Sequence, residues 1–211
     1  MTPIYKKGSR TSVDNYRPVS LTSVVCKVME RLLRKLLLEH MFDNDFISDC
    51  EHGFIPGRSC TTQLLEVMDK WTDILDNGGS LDVIYLDLAK AFDSVPHRRL
   101  LLKLQSYGIN GAYLSWISNF LLGRNQRVTV SGTGSEWAPV LSGVPQGSVL
   151  GPVLFVCYIN DMPATVLSFI YMYADDTKIG REVGTEKDRK ILQADLNRVE
   201  QWSDEWQYCF T

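Results

Sequence analysis

"VLSFIYMYADDTKI", Val166 to Ile179, holds the problem on which the fold turns. A run of strand length, rich in Val, Ile, Phe and Tyr, passes straight into two adjacent carboxylates, and a second short strand pattern follows. The segment therefore reads as two short strands with Asp175 and Asp176 at the turn. Neighbouring carboxylates repel, and at a sheet end they are only partly solvated, so the pair needs a cation, a proton or open water. An Asp at a strand turn is ordinarily a solvated turn former. The pair alone does not choose among these.

Upstream, "LDVIYLDL", Leu81 to Leu88, has the same strand character and ends on Asp87. Asp87 and Asp175 are 88 residues apart, so only the fold can bring them together. If their strands are neighbours, the carboxylates converge on a cluster that two hard divalent cations, roughly 3.5–4 Å apart, would neutralise. Two-metal sites of this kind stabilise the attacking and leaving oxygens of phosphoryl transfer.

Two further stretches carry candidate chemistry. In "SGVPQGSVLGP", Ser142 to Pro152, glycines permit close approach of backbone to a ligand, the segment feeds a helix N-terminus, and Gln146 is suited to contact a base or sugar. In isolation such a loop is an ordinary turn before a helix. In "KKGSRTSVDNYRPV", Lys6 to Val19, the cations Lys6, Lys7, Arg10 and Arg17 gather around Gly8 in what reads as a mobile hairpin suited to a triphosphate. By composition alone, a basic terminal run is a solvated tail.

The rest of the chain gives the fold class. Residues 20–40 read as a helix whose apolar stripe is Leu21, Val24, Val25, Val28, Leu32, Leu33, Leu36 and Leu37. Further helices are expected over residues 61–76, closed by Asn77-Gly78-Gly79, over 96–107, stopping at Gly108, over about 112–122, and from Pro152. A last helix has Thr185 and Asp188 placed as a capping box, with a stripe ending in Trp202 and Trp206 read as packing. Residues 126–140 alternate around a Gly-rich turn and read as a hairpin. Helix-bearing connections mixed with tight hairpins indicate an α+β fold, with helices on one face of an antiparallel sheet.

With 211 residues and 45% apolar content the chain suits one large domain or two small ones. The longest apolar stretch, from Val149, is too short to span a bilayer, and the N-terminus lacks a signal-peptide core. A location inside the cell without membrane contact, in cytoplasm or nucleus, is expected. Five cysteines with no CxxC pair indicate reduced thiols without catalytic duty, and the spacing of Cys50, His52 and Cys60 fits no common zinc pattern. His40, His52 and His97 read as core or surface groups, and Asp93 as a helix cap. A net charge of −3 opposes nucleic acid as a partner. Its distribution softens that objection: residues 1–40 carry eight Lys or Arg against three acids, and residues 41–174 eight against thirteen.

Taken together and in order, "NYRPVSLTSVVCKVMERLL", "HGFIPGRSC", "YLDLAKAFDSVPH", "GVPQGSVLGPVLF" and "YADDTKI" resemble the reverse transcriptase domain of non-LTR (LINE-type) retrotransposons, most closely the jockey-like group. The resemblance runs from about Pro3 to Gln207. It implies a right-hand polymerase, an RNA-directed DNA polymerase acting on an RNA template and a DNA primer with dNTPs and two Mg2+ ions, Mn2+ being the substitute. Fingers are implied over residues 1–80 and palm over 81–211. On matching positions Asp87 and Asp175 are the metal-binding carboxylates, with Asp176 beside them and the Leu88 carbonyl completing one metal shell. Tyr173 and Ala174 approach the primer end. Phe92 lies beneath the incoming sugar, and Gln146, between Pro145 and Gly147, contacts the nucleotide. Arg17, with Lys6 or Lys7, binds the triphosphate; Arg58 has no assigned role. An RNA-dependent RNA polymerase shares the palm and the acids, but needs a small or polar residue in place of Phe92.

The family continues past the last helix into a lysine-bearing turn, a primer-grip hairpin and a basic thumb, and its jockey-like members carry an endonuclease upstream. The chain ends at "WQYCFT", so thumb and endonuclease are expected elsewhere in a longer protein. The alternative is a truncated, catalytically silent relic that at most binds nucleic acid.

Overall fold

The computed structural model describes residues 1–88, 90–208 and 210. Along the chain run β1 (Thr2–Tyr5), β2 (Tyr16–Val19), α1 (Val24–Asp43), α2 (Cys60–Asp76), β3 (Leu81–Asp87), α3 (Ala91–Ser94), α4 (His97–Ser106) and α5 (Gly111–Leu121). Then follow β4 (Asn125–Gln126), β5 (Thr129–Val130), β6 (Thr133–Gly134), β7 (Ala138–Pro139), α6 (Gly151–Ile159), β8 (Phe169–Tyr173), β9 (Asp176–Glu182) and α7 (Glu186–Trp206). This is mixed helix and antiparallel sheet, the α+β class expected. Contacts divide the chain into two compact units, Met1–Asp43 with Phe92–Leu154, and Asn44–Ala91 with Phe155–Thr211. No helix among the described residues is long and apolar enough to cross a membrane.

The first unit is built on α1, α4 and α5. Leu33, Leu37, Leu38 and Met41 of α1 are buried, as are Leu100 and Leu104 of α4 and Ile117 and Leu121 of α5. Polar ties fix the helices: the Tyr113 hydroxyl donates to the Leu33 carbonyl at 2.5 Å, and His40 Nε2 donates to the Tyr107 carbonyl at 2.6 Å. Glu30 is fully buried, and one carboxylate oxygen accepts the N–H groups of Val149 and Leu150 at 2.6 and 3.0 Å, just before α6 opens. An acid there complements the positive end of the helix. The apolar stripe read from the sequence is corrected. Leu21, Val24, Val25, Val28, Leu32 and Leu36 are exposed, and the buried face is turned toward Leu33, Leu37 and Leu38. The helical period is the same for either face, so spacing alone could not tell which one the core takes.

The second unit holds a three-stranded antiparallel sheet in the order β3-β9-β8. Its register sets Leu81, Val83, Tyr85 and Asp87 on one face with Asp176, Lys178, Tyr171 and Tyr173. The other face carries Ile84, Ile170, Met172, Thr177 and Ile179, of which the last four are almost fully buried. Gln63 of α2 accepts from Lys178 Nζ at 3.0 Å, which seats α2 on the Tyr85 face. The last helix starts with the expected capping box between Thr185 and Asp188. Trp202 and Trp206 pack around Tyr158, as read from the stripe. Buried Asp195 accepts N–H groups of Leu167 and Ser168, both at 2.9 Å, and so fixes the entry to β8. Cys26, Cys50, Cys60 and Cys157 carry no disulfide, and Cys209 lies outside the described residues.

Candidate active site

In the second unit, Asp87 closes β3 and Asp176 opens β9, and the two are direct cross-strand partners on one face. Tyr173 completes the row from β8. Only Ala174 and Asp175 lie between the strands, so Asp175 occupies the turn itself. Ala174 takes a left-handed φ of +55° and is almost fully buried. That conformation costs an alanine on the order of 1 kcal/mol and persists only where neighbours enforce it. Asp87 and Asp176 are exposed, and Asp175 is half-buried. Leu88 is buried, and its backbone forms an isolated antiparallel bridge with Phe210.

No group of three or more His, Cys, Asp or Glu side chains among the described residues is gathered closely enough to hold a metal ion. The donor chemistry nevertheless fits a hard cation. Opposed residues on adjacent strands have Cβ atoms about 4.5–5.5 Å apart, within reach of one shared ion, and the donors are carboxylate oxygens open to solvent.

The turn is braced by a segment that the sequence left without a role. Residues 50–52 line the edge of β8: the Met172 N–H donates to the Cys50 carbonyl at 2.8 Å, and the His52 N–H donates to the Met172 carbonyl at 3.0 Å. Glu51, between them, is fully buried. Its Oε1 accepts the N–H of Gly53 at 2.5 Å and that of Ala174 at 3.0 Å, while Oε2 has no hydrogen-bond partner among the described residues. Burial pushes the Glu51 carboxyl above the usual carboxylate range, and its backbone hydrogen bonds oppose this. Arg58 holds the same segment from outside, donating to the carbonyls of Ser48 and Glu51 at 2.6 and 2.7 Å and to Asp49 at 2.9 Å. Glu51 went unnoticed because its partner is 123 residues away.

In the first unit, the Gln146 loop is clasped to α3. The Val144 N–H donates to the Phe92 carbonyl at 2.7 Å, and the Gly143 N–H to the Val95 carbonyl at 2.8 Å. His97 Nε2 donates to the Gly143 carbonyl at 2.8 Å. Gly143 has φ +89°, and a Cβ there would stand 2.7 Å from the Asp93 carbonyl oxygen. Gly147 has φ +92°, and its Cβ would meet the Ser20 carbonyl at 2.8 Å. Neither position admits a side chain. Asp93 is not the helix cap expected: Pro96 stands at the N-cap of α4 without a side-chain bond. Instead Gln146 Nε2 donates to both Asp93 carboxylate oxygens at 3.0 Å. A cleft of about 270 Å³ opens here, lined by Pro18, Ser20, Asp93, Arg124, Val144 and Gln146 among others.

The basic hairpin belongs to the same unit. Arg17 is exposed on β2 opposite Ile4, and the Ser20 N–H that follows donates to the Gln146 carbonyl at 2.8 Å. Its loop is tied internally by three hydrogen bonds. Tyr5 donates to the Gly8 carbonyl at 2.5 Å, Tyr16 to that of Arg10 at 2.9 Å, and Asn15 Nδ2 to that of Ser9 at 2.8 Å. Lys6 and Lys7 remain exposed on it.

Comparison with known proteins follows the same lines. Residues 4–211 match the family model described as reverse transcriptase (RNA-dependent DNA polymerase). The chain is 34% identical over 96% of its length to the RNA-directed DNA polymerase from mobile element jockey of Drosophila melanogaster. It is 30% identical over 96% of its length to the probable RNA-directed DNA polymerase from transposon X-element of the same fly. The chain spans about a quarter of either relative, 23%. An apo telomerase from Candida tropicalis, truncated from its C-terminal domain, shares the fold with a TM-score of 0.57 at 12% identity, over 82% of this chain and 37% of the telomerase.

Proposed function

This chain belongs to the reverse transcriptase (RNA-dependent DNA polymerase) family, and from that premise we propose that it forms the nucleotidyl-transfer part of a retrotransposon enzyme copying RNA into DNA. The observation that carries the reading is the register pairing Asp87 with Asp176 beside the Ala174–Asp175 turn. In this reading the sheet β3-β9-β8 is palm, within residues 81–211, and residues 1–80 are fingers.

Asp87 and Asp175 hold the divalent cations, Mg2+ or in its place Mn2+, with Asp176 beside them and the Leu88 carbonyl as a further ligand. Bound there, such ions neutralise the carboxylates and stabilise charge on the attacking and leaving oxygens of phosphoryl transfer. Tyr173 and Ala174 shape the place of the primer end, whose 3′-hydroxyl attacks the α-phosphorus of a dNTP as pyrophosphate leaves. Lys7 and Arg17 attract the triphosphate, Arg17 with the option of a two-pronged bond. Phe92 presents an aromatic surface to the sugar and excludes a 2′-hydroxyl. Pro145 and Gly147 hold Gln146, and its amide oxygen meets a donor on the nucleotide.

Primer extension on an RNA template tests this. The wild-type chain is expected to extend a DNA primer only with a divalent cation, and Asp175→Asn to lower the rate at least about a hundredfold, the scale of losing a central electrostatic group. Equal extension by both proteins defeats the assignment.

A further inference from the structure

We infer that Glu51 is a positioning residue: its buried carboxyl grips the backbone of the Ala174–Asp175 turn and fixes where Asp175 stands. This rests on reading that turn as the catalytic one. The grip has several independent parts. Oε1 accepts the Ala174 N–H at 3.0 Å and the Gly53 N–H at 2.5 Å, so a single atom joins the turn to the bracing segment. The two backbone bonds between Met172 and residues 50 and 52 hold that segment flush against β8, two residues before the turn. Gly53 completes the contact, because a Cβ on it would lie 2.5 Å from the Ala174 nitrogen.

Alanine does not adopt φ +55° without constraint. A two-residue hairpin turn with positive φ normally takes Gly, Asn or Asp at that place. Here a buried acceptor selects the conformation by satisfying an N–H that has no water to turn to. Asp175 is the next residue, so its Cα position follows from that bond. The carboxyl suits the task in neutral form. Oε1 then acts as a carbonyl for two donors, and a proton on Oε2, which has no hydrogen-bond partner among the described residues, would spare the interior an unbalanced charge. The upward push on this group from burial agrees with that state. Glutamine copies the neutral form, and leucine keeps the bulk while removing the acceptor.

Displacing a reacting group by about 1 Å costs about a hundredfold in rate, whereas residues gripping the nucleotide are left untouched. In the 211-residue chain, Glu51→Leu should therefore lower kcat for primer extension about ten- to a hundredfold with KM for dNTP within about threefold. Glu51→Gln should restore kcat to within about threefold of wild type, since the acceptor is back. Amide hydrogen exchange at Ala174 reads the bond without any chemistry: protection should fall at least about tenfold in Glu51→Leu and stay near wild type in Glu51→Gln. Should Glu51→Leu not fold, Gly53→Ala keeps Glu51 but drives a methyl into the turn, and it should give the same loss of protection and of kcat. Unchanged Ala174 protection in Glu51→Leu or Gly53→Ala overturns the inference, and so does Glu51→Gln behaving as badly as Glu51→Leu. Asp175→Asn, run alongside, separates the two ideas. If that variant extends like wild type, the functional reading falls while the exchange data still judge the grip.

Discussion

With its Nε2 directed at both oxygens of Asp93, the Gln146 side chain keeps Oε1, an acceptor, for a hydroxyl or amino donor on whatever enters the adjoining cleft. His97 supports the same loop, and its chemistry gives the loop a pH dependence. Its Nε2 donates to the Gly143 carbonyl, and burial holds its pKa below the ordinary 6.5, opposed by that bond and aided by the charge of Arg124. Between that lowered value and 6.5 the unfolded chain takes up a proton that the folded chain refuses, so stability is complete above 6.5 and is lost as pH falls below it. Thermal unfolding at pH 7.5 and 5.5 should show a drop in midpoint for wild type that is smaller in His97→Gln, which keeps a donor but does not titrate. Equal drops exclude His97 as the source. The sequence displayed Gln146 between Pro145 and Gly147, and the acids at strand ends, because those signals are local. It did not display the duty of Asp93, since an Asp three residues before Pro96 has every mark of a cap and its partner is 53 residues off.

At the scale of elements, α1 poses a question of orientation. Leu37 is fully buried, and its neighbour Leu36 is 55% exposed. Leu37→Ala should thus cost about 2–5 kcal/mol, the range for deleting a packed leucine, and Leu36→Ala within about 0.5 kcal/mol. Urea unfolding of the two variants checks this, and a reversed order would mean the helix turns its other face inward. The helices, the capping box of α7 and the β8–β9 hairpin were legible, because 3.6 and 2 residue periods and capping residues are properties of short segments. The buried face of α1 was not, because Leu and Val occupy most of its circumference and the period marks no single face. Nor was the edge pairing of residues 50–52 with Met172, which has no strand period of its own.

At the scale of the molecule, the charge of −3 conceals an opposition. The unit of residues 1–43 and 92–154 holds thirteen Lys and Arg against six Asp and Glu, a formal +7, while residues 44–91 and 155–211 hold nine against nineteen, a formal −10. A basic unit suits phosphates and an acidic unit suits cations, so an acidic total ceases to argue against a nucleic-acid substrate. Binding of a primer–template duplex should weaken steeply with salt, because each phosphate neutralised releases condensed counterions. The decisive quantity is the slope of log K against log salt between 50 and 200 mM, measured by filter binding. Replacing Lys6 and Lys7 together by Ala should make that slope shallower by about 2, one for each phosphate that the lysines no longer neutralise. Neutralising two exposed acids of α7, Glu186→Gln with Glu205→Gln, should leave it nearly unchanged, since those groups lie in the acidic unit. If instead the α7 variant shifts the slope and the lysine variant does not, the phosphates are not held by the basic hairpin, and Arg17 loses its role with it.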